Sequence, residues 1–302
     1  MWSAAPGPAD EAAAEWAVDA GPTAGPVAEP VVDVAAVAAL AEAEALELLR
    51  HGTIEIEGRL VEASNATLRA FVTHGGLVAR CVYKPIRGER PLWDFPDGTL
   101  ADREVAAYEL SSRVGFDVVP PTVLRDGPLG PGMCQLWIDE ERQDEPPLGF
   151  VPARRVPDGW RRVAAARDER GRPYALAHAD DTRLARMAVF DAVINNADRK
   201  GAHVLSTRDG RLYGVDHGVC FHAEGKLRTV LWGWVDEPLP AEAVALLEKL
   251  RAARGAGLDE TLAAHLTAAE VAALGVRLDR LLAERRFPPP SPDWPAIPWP
   301  PI

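Results

Sequence analysis

The sequence has few cysteines and no long hydrophobic run. Cys81, Cys134 and Cys220 are the three cysteines among its 302 residues, and no two of them form a CxxC pair. Their spacing excludes a disulfide framework and a zinc ribbon. No apolar run reaches the length of a membrane span, and the first residues lack the basic and hydrophobic regions of a secretory signal. We therefore predict a cytoplasmic protein without a transmembrane segment.

Basic residues are too few for a protein that binds nucleic acid. The chain has 33 Lys and Arg against 45 Asp and Glu, which gives a formal net charge of -12. Phosphate backbones require a basic surface, so we expect no nucleic-acid partner. The same charge argues against simple electrostatic attraction to anionic lipid. The apolar fraction of 47% instead predicts a folded globular protein with one large domain or two lobes.

The first third of the chain changes from a polar tail to a helix and then to strands. Residues 1–30 are rich in Ala, Pro, Gly and acidic residues, which predicts a disordered tail. Residues 33–50 are dense in Ala, Leu and Glu and predict a helix. The hydrophobic period then becomes two over residues 53–61, 68–72 and 77–85. Three such strands in succession predict an antiparallel meander.

The turn at residues 64–67 of this meander carries small and hydroxyl side chains. Such a turn can direct backbone N–H groups at a phosphate, which makes Ser64 and Asn65 candidate nucleotide-binding residues. An ordinary hairpin turn is the alternative reading.

Lys84 ends a mostly apolar strand, where a buried cation needs an acidic partner. The next helix is predicted to start near Thr99 and to stop at Gly115. We expect Glu104 of this helix to pair with Lys84, with Glu109 as the fallback.

The second half of the chain is predicted to be mainly helical. An acidic connector follows the strand at residues 133–138, and we place the lobe boundary there, after residue 145. Residues 150–180 are charged and predicted to be irregular, with a short helix at 160–166. Later helices are predicted at 240–252 and from a capping box at 267–270 to about residue 286.

Residues 287–302 are rich in Pro and Trp and predict an extended, polyproline-like segment. The predicted organisation is therefore a tail at 1–30, an N-lobe at 31–145, a C-lobe at 146–286 and a second tail at 287–302. The basic, aromatic stretch at 226–234 could either bind substrate or pack its tryptophans into the C-lobe, and the sequence leaves both open.

The most informative stretch is a hairpin that brings two acidic residues together. A helix through Leu184 is followed by a polar loop with Asp198, and a short hairpin then delivers Asp216. The neighbouring polar side chains of the loop are Asn195, Asn196, Lys200 and His203. Carboxylates in such surroundings suit Mg²⁺, which shares oxygen ligands with substrate phosphates. A polar loop that merely caps a helix is the alternative.

These motifs together resemble the kinase-like superfamily, and in particular the bacterial phosphatidylinositol 3- and 4-kinase-like proteins, over roughly residues 52–285. Residues 198–203 read Asp-Arg-Lys-Gly-Ala-His where such lipid kinases have Asp-Arg-His-x-x-Asn. Residues 215–218 read Val-Asp-His-Gly where they have Ile-Asp-Phe-Gly. The resemblance implies a two-lobed α+β kinase-like fold. Its N-lobe is an antiparallel sheet with one helix, and its C-lobe is mainly helical and carries the catalytic hairpin.

The resemblance implies an ATP- and Mg²⁺-dependent phosphotransferase that transfers the γ-phosphate to a hydroxyl group. Asp198 would orient or deprotonate the acceptor, Lys200 would offset phosphoryl charge, and Lys84, held by Glu104, would contact the α- and β-phosphates. Asp216 would hold the metal. The segment through Gln135, Trp137 and Ile138 would contact adenine.

Three positions depart from the family pattern, since Lys200 replaces a His, His203 an Asn and His217 a Phe. Imidazole is a poor Mg²⁺ ligand, so either Asn195 or Asn196 would supply the missing oxygen beside His203, with Asn196 preferred, or the second metal is absent. A nucleotide-binding pseudokinase that acts through a partner and an enzyme that transfers AMP remain alternatives. The acceptor is a protein, a small molecule or a lipid.

Overall fold

The computed structural model describes residues 40–60, 65–141 and 146–302. Three of the sequence predictions lie outside the described residues: the tail at 1–30, the first part of the predicted helix at 33–39, and Ser64. The fold class agrees with the prediction, because an antiparallel sheet with helices is followed by a mainly helical part.

A five-stranded antiparallel sheet in the order β1-β2-β3-β5-β4 forms the first part. In the described part of the chain, one α-helix precedes the sheet and a second lies between β3 and β4. The elements are α1 (Glu42–His51), β1 (Thr53–Arg59), β2 (Leu68–His74), β3 (Leu77–Pro85), α2 (Leu100–Val114), β4 (Thr122–Gly127) and β5 (Gly130–Leu136).

The period-two pattern of β3 explains why Lys84 reaches the cleft. Ala79, Cys81 and Tyr83 are fully buried, and Ala79 and Cys81 pack with α1 in a small core. Because successive side chains of a strand point to opposite faces, Lys84 leaves the sheet on the other side. That side faces α2.

Helix α2 begins and ends where its sequence predicts. The Thr99 hydroxyl accepts a hydrogen bond from the backbone N–H of Asp102 at 3.0 Å, as expected of an N-cap. Gly115 ends the helix with φ 88°, a left-handed conformation that glycine adopts without a steric penalty. Between these ends, Glu104 lies buried in the interior of the protein.

The second part carries the largest core. Its helices are α3 (Thr182–Ile194), α4 (Ala241–Ala253), α5 (Asp259–Leu262) and α6 (Ala268–Glu284), and its short hairpin pairs β9 (Val204–Ser206) with β10 (Leu212–Gly214). The predicted capping box of α6 is present, since Thr267 and Glu270 exchange side-chain and backbone hydrogen bonds. α3 is buried along most of its length, which explains its nearly all-apolar sequence. The core therefore surrounds the helix that leads into the candidate site.

The prediction for residues 150–180 is wrong. These residues form a three-stranded antiparallel sheet in the order β6-β8-β7, in place of irregular structure with a helix at 160–166. The strands are β6 (Leu148–Pro152), β7 (Trp160–Arg167) and β8 (Pro173–Ala179). Ala164 to Ala166 favour a helix locally, but their backbone pairs with β8, as in the register Ala165 to Ala175. Tertiary pairing thus overrides a weak helix propensity.

Residues 287–302 contain no helix or strand, and they lie against the second part of the protein. Phe287 is buried in the large core at the start of this segment. Among the helices that the structure describes, none is long and apolar enough to cross a membrane.

Candidate active site

Lys84 connects the sheet to two carboxylates. Its Nζ lies 2.6 Å from Glu104 Oε1 on α2 and 2.6 Å from Asp216 Oδ1, just beyond β10. Burial acts to lower the pKa of Lys84, but the two carboxylates outweigh it and raise the pKa. Lys84 in turn holds the pKa of Asp216 well below its usual range. The site therefore carries one fixed cation between two fixed anions.

Glu104 also reaches the loop that carries Asp216. Its second oxygen, Oε2, accepts a hydrogen bond from the backbone N–H of His217 at 2.9 Å. The predicted ion pair with Lys84 is thus present, and the fallback residue Glu109 is not the partner. One buried carboxylate fixes α2 against both β3 and the Asp216 loop.

Asp216 has a left-handed backbone, with φ 64°. Non-glycine residues seldom adopt this conformation, and they keep it only where the surroundings enforce it. Here the N–H of Val215 donates to His203 O and the N–H of His217 donates to Glu104, so the backbone is held on both sides. The carboxylate of Asp216 is half-exposed.

His203 lies beside Asp216. Its Nε2 is 3.3 Å from Asp216 Oδ2. Burial lowers the pKa of His203 to about 4, although the Asp216 carboxylate opposes this shift. The imidazole is therefore neutral near pH 7, as a metal ligand must be. Among the described residues, Nδ1 of His203 has no hydrogen-bond partner.

Asp198 and Lys200 form a second charged pair on the loop after α3. Lys200 Nζ is 3.1 Å from Asp198 Oδ2. Burial raises the pKa of Asp198, and the Lys200 charge partly opposes this effect. A carboxylate with a raised pKa is a better proton acceptor than an ordinary one.

Arg199 connects the Asp198 loop to the Asp216 loop from inside the protein. This role was not predicted from the sequence. Its side chain and that of Asp191 are completely buried, with Arg199 Nη2 2.9 Å from Asp191 Oδ1. Nη1 donates to the carbonyls of His203 at 3.1 Å and Val215 at 3.0 Å. One guanidinium thus holds α3, the Asp198 loop and the Asp216 loop together.

His217 completes this buried network. Arg199 Nη2 lies 2.8 Å from His217 Nε2. An arginine can only donate, so Nε2 of His217 must accept and the proton of the neutral ring must sit on Nδ1. Burial and the Arg199 charge both lower the pKa of His217. His217 therefore serves as a neutral acceptor where the resembling kinases have Phe.

Two signals in the sequence could have revealed this network. Asp191 is the one charged residue in the apolar stretch 187–194 of its helix, and Arg199 directly follows the catalytic-type Asp198. A buried charge needs a partner of opposite sign. The pair could therefore have been predicted from those two positions.

Asn196, a predicted metal ligand, has no free amide group. Its Nδ2 donates to Asp191 Oδ1 at 2.9 Å, and its Oδ1 accepts from the N–H of Asp198 at 2.9 Å. Asn196 is also fully buried. In this arrangement it shapes the Asp198 loop and does not offer an oxygen to a metal. Asn195 caps α3 in a left-handed conformation and bonds to the backbone of the 222–226 segment.

The predicted nucleotide-binding residues of the first part lie along the sheet. Asn65 Oδ1 accepts from the N–H of Arg90 at 3.0 Å, which joins the turn to the loop after β3. Gln135 is buried, and its side chain donates to Thr122 Oγ1 at 2.8 Å. Gln135 also lies within β5, opposite Val82 of β3 and Thr122 of β4, so the part of the segment left for a base is the part after the strand. Trp137 and Ile138 follow β5 and are partly exposed.

The side chains around Asp216 are too few to complete the coordination of a divalent ion by themselves. No group of three or more His, Cys, Asp or Glu side chains suited to a metal occurs among the residues that the structure describes. Asp216 and His203 supply an oxygen and a neutral nitrogen side by side. Such a pair fits an ion that takes its remaining ligands from water and substrate phosphates, as Mg²⁺ commonly does.

A relative from Mycobacterium tuberculosis is similar to this chain over most of its length. Protein Rv2133c of Mycobacterium tuberculosis is 48% identical over 261 residues, which cover 84% of this chain and 94% of that protein. The chain belongs to the family of Rv2133c. No protein-family model matches the sequence.

Solved structures show what kind of fold this family has. The Golgi casein kinase with Mn/ADP bound matches with a TM-score of 0.50 at 14% identity, over 80% of this chain and 75% of that one. Hydra Fam20 with sugar matches with a TM-score of 0.49 at 15% identity, over 80% and 87% of the two chains. The first likeness establishes a kinase-like fold. Neither supports the closer relation to phosphatidylinositol 3- and 4-kinases that the motifs suggested.

The buried pair should dominate the stability of the site. Asp191→Asn leaves the Arg199 charge uncompensated in the interior, so we expect a loss of about 3–5 kcal/mol in the free energy of unfolding. Denaturant unfolding followed by circular dichroism measures it. The control is Asp168→Asn, which changes an exposed pair with Arg172 and should leave stability nearly unchanged. An Asp191→Asn variant as stable as the unchanged protein would contradict the role given to Arg199.

Proposed function

We propose that the protein is an atypical kinase that uses ATP and a divalent metal to phosphorylate a hydroxyl group. The observation that carries this proposal is the bridge from Lys84 to Glu104 and Asp216. A strand lysine, a helix glutamate and a metal-loop aspartate are the parts that a protein kinase must bring together. The kinase-like fold supports the same conclusion.

The charges of the site suit phosphoryl transfer, which depends mostly on positioning and on neutralisation of charge. Lys84, oriented by Glu104, would contact the α- and β-phosphates. Asp198, whose pKa is raised by burial, would orient the acceptor hydroxyl and take its proton. Lys200 lies beside Asp198 and would offset negative charge on the transferred group.

The remaining nucleotide contacts follow from the order of the elements. The backbone around Asn65 would cover the phosphates, together with Ser64. The segment from Gln135 through Trp137 to Ile138 would contact the base, with the backbone groups beyond the end of β5 as hydrogen-bonding partners. We keep the division into an N-lobe at 31–145 and a C-lobe at 146–286 as part of the proposal, since the nucleotide would lie between them.

The metal would be held by Asp216 and His203. A bound divalent ion would neutralise charge on the phosphates. Lys84 Nζ lies 2.6 Å from Asp216 Oδ1. When a nucleotide binds, phosphate oxygens would replace part of this contact with Lys84. Mg²⁺ is the ion expected from the sequence, but the imidazole of His203 favours ions that accept nitrogen. The Golgi casein kinase structure has Mn bound.

A lipid acceptor is not part of the proposal, because the relation to phosphatidylinositol kinases that suggested it has no support. A reducing, cytoplasmic location is proposed from the three scattered cysteines, all of which are buried.

The two acids should separate nucleotide binding from acceptor activation. Asp216→Asn should weaken metal-dependent ATP binding about 10- to 100-fold, because it removes a charge-assisted contact worth roughly 1.5–3 kcal/mol. Asp198→Asn should change ATP affinity less than about threefold, because its interaction is made mainly with the acceptor. Isothermal titration with and without metal measures both. If Asp198→Asn loses ATP binding and Asp216→Asn keeps it, the assigned roles are reversed.

His203 should set the metal preference. We expect Mn²⁺ and Co²⁺ to support tighter ATP binding than Mg²⁺, since they accept an imidazole ligand more readily. His203→Asn should reduce the difference in ATP affinity between these ions and Mg²⁺, because asparagine supplies an oxygen. Electron paramagnetic resonance of bound Mn²⁺ measures metal binding without turnover. The control is His74→Asn at an exposed position at the end of β2. An unchanged preference in His203→Asn would remove His203 from the metal site.

A further inference from the structure

The segment from Phe287 to Ile302, called here the proline strap, lies against the candidate site. Eight of its sixteen residues are proline. Proline fixes φ and lacks an N–H group, so such a segment stays extended and its carbonyls remain open to outside donors.

Among the residues that the structure describes, the hydrogen bonds donated to residues 295–302 of the strap all end on main-chain carbonyls. The N–H of Thr229 at 3.1 Å and Trp232 Nε1 at 2.7 Å both donate to Ala296 O. Arg228 Nη2 donates to Ile297 O at 3.3 Å. The N–H of Gly201 donates to Pro301 O at 2.8 Å. These donors recognise an extended backbone and not a particular side chain.

The surface under the strap also has places for proline rings. Pro298 and Pro301 are buried against the protein. A Cβ on Gly201 would collide with Ile302 Cδ1 and would lie 2.7 Å from Leu148 Cδ1, so glycine at this position lets the strap approach closely. An indole N–H directed at a carbonyl beside such proline sites is the usual equipment for binding polyproline-type peptides.

This groove runs beside the proposed catalytic loop. Arg199 and Thr229 form an isolated parallel β-bridge, with hydrogen bonds from Arg199 N to Arg228 O at 3.0 Å and from Val230 N to Arg199 O at 3.1 Å. The N–H of Thr229 points to the other side, where the strap lies. Gly201 directly follows Lys200, and burial raises the pKa of Asp198 while the charge of the nearby Arg228 acts in the opposite direction. A peptide in the groove would therefore pass close to the proposed acceptor base.

An aromatic contact with Trp93, which precedes α2, holds the strap against the protein. The ring of Trp294 stacks on that of Trp93, with 6.3 Å between centroids. Nζ of Lys226 lies 4.3 Å from the Trp294 ring and 3.2 Å from Asp94 Oδ2. Lys226 is only 3% exposed, so the strap and the loop at 93–95 together enclose a cation.

We propose that this groove binds an extended, proline-containing polypeptide, which the proline strap replaces when no such partner is present. From Pro292 onward the strap has no Ser, Thr or Tyr. It can therefore fill the groove without itself offering a hydroxyl group. Because the groove borders Asp198, the inference extends the proposed function by making a polypeptide the phosphoryl acceptor, and that extension rests on the proposed function.

The test uses the full chain and a fluorescein-labelled synthetic peptide with the sequence of residues 287–302. Trp294→Ala removes the strap's own ring from the stacking contact between Trp294 and Trp93. Trp93→Ala removes the partner ring, which is exposed, so that folding is not at risk. Trp299→Ala is the matched control, because Trp299 lies in the strap and is 83% exposed. Hydrogen exchange at the Gly201 and Thr229 amides reports release of the strap, and fluorescence anisotropy reports peptide binding.

We expect exchange at both amides to rise at least tenfold in Trp294→Ala, to rise less in Trp93→Ala, whose ring is 82% exposed, and to stay unchanged in Trp299→Ala. The peptide should bind Trp294→Ala at least tenfold more tightly than the unchanged protein, and it should restore protection of both amides. Unchanged exchange, or peptide binding that is absent or equal in all variants, would overturn the proposed groove.

A second experiment tests the acceptor. Versions of the peptide with one Ser at each of positions 296–300 in turn are incubated with Trp294→Ala, ATP and Mn²⁺. Incorporation of γ-phosphate into at least one of them is expected. Peptides that bind but stay unphosphorylated, in a protein that binds ATP, would overturn the polypeptide acceptor. Failure of ATP to bind any variant would instead contradict the proposed function and leave the groove intact.

Discussion

The contact between the Arg199 guanidinium and Asp191 is the interaction on which the candidate site depends. Both side chains are completely buried, and a buried ion pair is costly unless its remaining donors are used. Here they are used on the carbonyls of His203 and Val215 and on the ring of His217. The proposed acceptor base and the proposed metal ligand are therefore placed by one side chain that touches neither ATP nor acceptor.

A second set of contacts joins this framework to the sheet. Glu104 accepts from Lys84 with one oxygen and from the His217 backbone with the other, so a movement of α2 would disturb the lysine and the Asp216 loop together. The proline strap adds a further connection, from Trp93 in the first part to Gly201 beside Lys200. The nucleotide and the polypeptide would thus bind next to the Asp198 and Asp216 loops. The contacts of Glu104 and of the proline strap hold these loops in place.

Much of this arrangement could be predicted from the sequence, because local patterns determine it. The alternation of β3, the caps of α2 and the short hairpin place Lys84, Glu104 and Asp216 in the predicted order. The helix expected at 160–166 failed because its pairing with β8 is a long-range effect that alanine propensity does not reveal. Asn196 was misjudged for a related reason, since its amide is taken up by Asp191, a partner that only the folded structure brings near. The closer family relation failed because loop motifs reflect a shared chemistry more than a particular acceptor.

The central claim is that the site breaks the bond between the β- and γ-phosphates of ATP, and phosphorus NMR measures this most directly. Purified protein is incubated with ATP and Mn²⁺ or Mg²⁺ until water, acting as a slow acceptor, has reacted. The account predicts that ADP and inorganic phosphate form, and that Asp198→Asn greatly slows their formation. Release of pyrophosphate would show AMP transfer instead. ATP that binds but remains intact in the unchanged protein would show a pseudokinase and contradict the account.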